Sequence, residues 1–156
     1  MRICWHHCYH ERLCTCSRWD SSVLSGACNC GTVQFSLATM PDGVYVCHCS
    51  ICRRHTGTQG NAVLVVAKDD FAWEQGAETI ATWRKPGHDW QIWFCPSCGS
   101  QLPGENDAST VFVPAGLIVD DAPLRVIHHI YVDSKAAWDE IGDAGRQHAG
   151  AFTPED

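Results

Sequence analysis

Apolar and polar residues alternate over short stretches of this chain. Val33, Phe35 and Leu37 are apolar at every second position, which predicts a strand with one buried face. Further strands are predicted at residues 44–47, 62–67, 79–83, 91–94, 110–113 and 126–132. Turn-forming residues, such as those of Pro41-Asp42-Gly43, separate these stretches. Many short strands with turn signals between them predict a mostly β fold.

One short C-terminal helix is predicted near residues 135–141, with Ser134 as its N-cap. We expect the folded domain to span residues 25–145. Residues 1–24 show no helical or strand period and are expected to be a disordered extension, or the product of a start codon placed too far upstream. Residues 146–156 are polar and are expected to form a flexible tail.

The bulk composition bounds the classes of function. The chain has 156 residues, of which 45% are hydrophobic and 19% charged, as in a soluble globular domain. The formal net charge of −7 argues against nucleic-acid and anionic-membrane partners, since both require a basic surface. The longest apolar run, residues 62–67, cannot span a bilayer. No apolar segment follows Arg2 as in a secretory signal, so we expect a cytoplasmic protein.

Cysteine is unusually abundant, with eleven copies. In a reducing compartment, clustered cysteines indicate metal binding more often than disulfides. Seven of them form three chelating groups: Cys28 and Cys30; Cys47, Cys49 and Cys52; and Cys95 and Cys98. In an extended strand, residues two apart face the same side, so a C-x-C pair can present both sulfurs to one ion. Gly31 and Gly99 follow two of the groups and would let the backbone turn around the metal.

Seven cysteines cannot complete two four-thiolate zinc sites. The simplest partition joins Cys28 and Cys30 with Cys95 and Cys98 in a closed structural site. Cys47, Cys49 and Cys52 then form an open three-thiolate site, with the vacancy that marks catalytic zinc. The alternative is that His48 or His55 closes this second site and makes it structural. A third metal site is conceivable in the N-terminal segment, although we favour disorder there; its candidate ligands are Cys4, His6, His7, Cys8, His10, Cys14 and Cys16.

Four strings in this order resemble the glutathione-dependent formaldehyde-activating enzyme family, which includes centromere-protein-V-like members: SGACNCGTVQF, CHCSICRRHTG, FCPSCGSQL and HHIYVDSKAAW. The resemblance runs from about residue 25 to residue 141. It implies a zinc-containing β-tent fold and two zinc ions per chain. The structural ion would be held by the cysteines at 28, 30, 95 and 98, and the catalytic ion by those at 47, 49 and 52. The long N-terminal segment departs from the family pattern.

A zinc ion with three thiolates is a weak activator of water but suits a substrate thiol, whose pKa of about 8.5 it would lower. The resemblance implies a carbon–sulfur lyase that adds the thiol of glutathione to formaldehyde. Arg53, Arg54 and His55 follow the last ligand and are the predicted substrate-binding residues. The alternatives are a lyase or transferase on another thiol adduct and a non-catalytic zinc module with a protein partner. The sequence leaves the oligomeric state open.

Overall fold

The computed structural model describes residues 24–153, and its regular structure is mostly short strands. The largest sheet has six strands. Their spatial order is β11 (Arg146–Gln147), β10 (Val126–Ile130), β3 (Val44–Cys47), β4 (Asn61–Ala67), β9 (Thr110–Pro114) and β8 (Gly104–Glu105). Strand β10 runs parallel to both β3 and β11, and the other pairs are antiparallel. The mostly β prediction is confirmed.

Two smaller sheets complete the fold. One is antiparallel and contains β1 (Leu24–Ala27), β2 (Gln34–Leu37) and β5 (Phe71–Gln75). The other is the hairpin of β6 (Ala81–Arg84) and β7 (Gln91–Phe94). The cysteine groups follow strand ends in all three sheets, so sheet geometry determines which groups meet.

The main core contains side chains from the three-stranded and six-stranded sheets. Phe35 and Leu37 of β2 are fully buried together with Leu64 of β4 and Val113 of β9. Their alternation with more exposed neighbours is the two-residue period of a strand with one face inward. Each such side chain contributes about 1.5–3 kcal/mol when fully buried. A Cβ on Gly26 of β1 would overlap the Phe35 ring, so this close approach requires glycine.

The single α-helix of the described part of the chain is α1 (Ser50–Thr56), which directly follows Cys49. Cys49 caps its N-terminus by accepting a hydrogen bond from the Cys52 N–H, and Gly57 ends it at φ 71°. The sequence of α1 has no apolar helical period, which is why pattern analysis missed it. Among residues 24–153, no helix is long and apolar enough to cross a membrane.

The predicted helix near residues 135–141 was wrong in its position. A 3₁₀ turn, Val132–Ser134, lies just before this region, and the rest forms turns and irregular structure. Here Lys135 makes a local contact and Asp139 a tertiary one: the Lys135 ammonium donates to the Asp139 carbonyl at 2.7 Å, and the Asp139 carboxylate bonds to His48. These contacts outweigh local helix propensity.

The fold continues beyond residue 145, the predicted end of the domain. Strand β11 pairs with His128 and His129 of β10. The ring of Phe152 packs on His128, with a centroid distance of 4.5 Å, and on Tyr45. The predicted N-terminal segment and its possible third metal site lie outside the described residues.

Candidate metal centres and the adjoining cleft

Four cysteines from distant parts of the chain form the first cluster. Cys28 and Cys30 follow β1, whereas Cys95 and Cys98 follow β7. All four Sγ atoms lie within 4.8 Å of one another. The Sγ of Cys30 is 3.5 Å from that of Cys28 and 3.7 Å from that of Cys95. A zinc ion about 2.3 Å from each of four sulfurs separates those sulfurs by about 3.8 Å, so this donor set fits tetrahedral zinc.

Two tight turns shape this cluster. Gly31 and Gly99 both have positive φ, at 75° and 76°, a conformation that glycine adopts without steric cost. The Gly31 N–H donates to the Cys28 carbonyl, and the Gly99 N–H donates to the Cys95 carbonyl. The turns therefore fold each cysteine pair around a common point.

Hydroxyl groups beside the cluster favour thiolates. A hydrogen bond with the Thr32 hydroxyl lowers the pKa of Cys30. The Ser100 hydroxyl lowers the pKa of Cys98 to about 6 and accepts the Asn29 N–H at 3.0 Å, which links the two turns. Burial raises the pKa of Cys95. Deprotonated sulfurs are the form that binds a metal.

Three cysteines from one segment form the second cluster. Cys47 ends β3, Cys49 caps α1 and Cys52 lies in its first turn. Their Sγ atoms also lie within 4.8 Å of one another. The hydrogen bond with the Cys52 side chain lowers the pKa of Cys47 to about 6. The same bond, together with burial and neighbouring thiolates, raises the pKa of Cys52. The opposite shifts are those of two thiols that share a proton, and a bound cation would favour the deprotonated form of both.

Neither nearby histidine joins the three-cysteine cluster. The ring nitrogens of His48 are both engaged elsewhere, Nδ1 with Asp139 and Nε2 with His129, each at 2.8 Å. His48 faces away because alternate residues of an extended segment point to opposite sides. The ring of His55 packs edge-on against Trp90, with centroids 5.4 Å apart. Within residues 24–153, the cluster therefore has three protein ligands and no fourth.

A cleft of about 730 Å³ adjoins the three-cysteine cluster and includes Cys47 and Cys52 in its lining. Trp90 and Trp93 supply large apolar surfaces to it. Its cations are Lys68, which pairs with Glu105 at 3.2 Å, and Arg84, which pairs with Asp89 at 3.2 Å. The volume lies within the range of small-molecule sites. A ligand in this cleft would be beside the cysteine sulfurs.

Comparison with known proteins identifies the family of this chain. Residues 23–134 match the sequence profile of the glutathione-dependent formaldehyde-activating enzymes. The chain belongs to this family. A Halomonas elongata protein named as a member of the same family is 29% identical, in an alignment that covers 86% of this chain and 90% of the relative.

Among solved structures, the fold is similar to that of a Rhodobacter sphaeroides protein. The TM-score is 0.51 at 22% identity, and the match covers 64% of this chain and 91% of that one. At this level of identity the similarity concerns the fold alone.

In this member of the formaldehyde-activating family, one of the three predicted substrate-binding residues lies apart from the other two. The Arg53 guanidinium donates to the backbone carbonyls of His48 and Ser134, at 3.2 and 3.0 Å. It thereby ties α1 to the segment after β10. Arg54 and His55 instead line a smaller cavity next to the cleft. Their roles toward a substrate stay predictions.

Pattern analysis missed the cleft residues of this family member. Lys68 follows β4, and Arg84 and Trp90 belong to the β6–β7 hairpin, far from the cysteines in sequence. The density of tryptophan at residues 83, 90 and 93 is the one sequence signal that could have indicated them. Of the two neighbouring histidines in β10, His129 is buried with both ring nitrogens hydrogen-bonded, and His128 lies on the opposite face.

Proposed function

We propose that this protein is a zinc-dependent carbon–sulfur lyase of the glutathione-dependent formaldehyde-activating type. It would form and cleave S-hydroxymethylglutathione. In the forward direction, the glutathione sulfur loses its proton and bonds to the formaldehyde carbon, while the carbonyl oxygen takes up a proton. The reverse direction breaks the same carbon–sulfur bond. Reduced cysteines require a reducing compartment, such as the cytoplasm.

The observation that carries this proposal is a cluster of three thiols beside a cleft, with no fourth ligand among the described residues. Cys47, Cys49 and Cys52 would hold one zinc ion and leave one tetrahedral position for a substrate sulfur. When bound, that ion would lower the pKa of the substrate thiol and orient its sulfur. The closed cluster of Cys28, Cys30, Cys95 and Cys98 would hold a second, structural ion.

The chain's own residues would bind and orient the rest of the substrate. Glutathione carries two carboxylates, and Lys68 and Arg84 are the cations of the cleft. Both are paired with carboxylates across exposed surface, and such pairs exchange partners at little cost. Trp90 and Trp93 would exclude water from one side of the reacting atoms.

Calorimetric titration of the zinc-loaded protein with glutathione tests binding, and NMR exchange spectroscopy with glutathione and formaldehyde tests turnover above the uncatalysed rate. We expect saturable binding with proton release and accelerated exchange. Cys49→Ser should abolish glutathione binding and accelerated exchange while retaining one zinc per chain. The matched control, Ser50→Ala, should keep binding and exchange. Absence of binding at millimolar glutathione would reject glutathione as substrate. Binding without acceleration would reject the lyase and favour a zinc-binding module.

A further inference from the structure

A second, smaller cavity of about 240 Å³ adjoins the cysteine cleft. We call it the tryptophan pocket, because Trp83 and Trp90 of the β6–β7 hairpin line it together with Ile51 and Ile92. Trp90 and Ile92 also line the larger cleft. The two cavities therefore share a wall, and each has its own set of further lining residues.

The aromatic rings of this pocket offer uncovered surface. Trp83 and Trp90 pack edge to face, with centroids 6.2 Å apart and an interplanar angle of 76°. Trp83 remains 49% exposed, although a large apolar side chain gains from burial. Such an arrangement leaves an indole face available to a planar group, which would stack on it favourably.

Positively charged side chains line the pocket beside the tryptophan rings. Arg54 and Lys85 line the pocket, and no acidic residue does. Within residues 24–153, neither of these two cations has a carboxylate partner. Asp89, the acidic residue of the hairpin, is instead held by Arg84 and lines the cleft. A locally positive apolar pocket in a chain of net charge −7 favours an anionic ligand.

His55 supplies one further polar group. Its Nε2 atom is buried and has no hydrogen-bond partner in the described part of the chain, and such groups are usually satisfied. Burial lowers the pKa of His55, which favours the neutral ring. The His55 ring contacts Trp90 and lines the pocket, so a polar atom of a bound ligand could satisfy this nitrogen.

We propose that the tryptophan pocket binds a planar aromatic carboxylate, with its ring on Trp83 and its carboxylate at Arg54 and Lys85. This site is additional to the thiol site, because glutathione has no planar apolar part. Its position next to the cleft places the aromatic ligand beside whatever occupies the cysteine cluster.

Calorimetric titration of the zinc-loaded full chain with 2-naphthoate tests the pocket, with uncharged 2-naphthamide as the matched ligand. We expect the acid to bind at least about tenfold more tightly than the amide. Trp83→Leu and the double variant Arg54→Gln/Lys85→Gln should each weaken binding of the acid at least about tenfold. Trp138→Leu removes a tryptophan that is 69% exposed and lies outside the pocket, and should have no effect. Equal affinities for acid and amide, or unchanged binding in Trp83→Leu, would overturn the proposal.

Cys49→Ser separates this site from the proposed lyase function. The tryptophan pocket contains none of the cysteines, so the variant should lose glutathione binding and keep naphthoate binding. Loss of both ligands in Cys49→Ser would reject an independent pocket. If the wild-type protein binds naphthoate but not glutathione, the proposed lyase function is rejected and the proposed pocket is supported.

Discussion

The Nε2 atom of His48 lies 2.8 Å from the Nδ1 atom of His129, and both rings are buried. Each ring also bonds to a carboxylate, His48 to Asp139 and His129 to Asp143, at 2.8 Å. The chain of bonds braces the segment that carries Cys47 and Cys49 from its opposite face.

Removal of Asp139 should destabilise the fold. Asp139→Ala leaves the buried Nδ1 of His48 without its partner, so we expect the free energy of unfolding to fall by about 1–3 kcal/mol. Urea denaturation measures this change. The exposed Asp133 provides the control, since Asp133→Ala should stay within about 0.5 kcal/mol of wild type. Equal effects of the two substitutions would show that the buried bond contributes nothing.

Stability should fall on the acidic side of neutrality. Burial, with a smaller contribution from the charges of His148 and Arg146, lowers the pKa of His128 in the folded state. The unfolded chain then binds more protons between that lowered pKa and about 6.5, so the free energy of unfolding falls as the pH drops through this window, and the contribution of His128 is constant above and below the window.

His128→Gln should reduce this pH dependence. Urea denaturation at about pH 5.5 and about pH 7.5 measures the difference in the free energy of unfolding between the two pH values. This difference should be smaller for the variant than for wild type, because the variant lacks one group whose pKa differs between the folded and unfolded states. Comparison with wild type at the same two pH values corrects for metal release in acid. An unchanged difference would mean that His128 does not contribute.

The two cysteine clusters should differ in their effect on stability. Cys98→Ser removes a ligand of the cluster that joins the turn after β1 to the turn after β7, and should cost at least about 3 kcal/mol of unfolding free energy with loss of one zinc. Cys49→Ser makes the same chemical change at the open cluster, and serine can still cap α1. We expect a smaller loss there. Metal analysis and thermal unfolding in parallel provide the comparison, and equal losses would contradict the structural and catalytic division.

Cations of the cleft should affect glutathione affinity. Arg84→Gln and Lys68→Gln should each raise the dissociation constant about three- to tenfold, and the effect should shrink at high salt because both side chains are near solvent. Arg125→Gln removes an exposed charge that does not line the cleft and should leave the constant unchanged. A uniform response of all three variants would indicate general charge attraction rather than binding in the cleft.

The sequence by itself determined which cysteines could bind metal and where most of the strands lie. Both are local patterns. The spacing within each cysteine group limits where its sulfurs can point. The alternation of Phe35 and Leu37 with polar neighbours indicates a strand with one buried face. The count of seven thiols favoured the pairing of the distant groups, the family strings implied the same pairing, and the sulfur positions of Cys28, Cys30, Cys95 and Cys98 agree with it.

Tertiary structure alone decided the position of the helix and the lining of the cleft. Cys49 and Gly57 cap a helix whose residues lack an apolar period, whereas the bond of Asp139 to the distant His48 opposes a helix over residues 135–141, where local propensity favours one. Arg84 and Trp90 reach the cysteines only because the β6–β7 hairpin lies beside them. Such contacts depend on how sheets pack, and no short-range pattern along the chain encodes that packing.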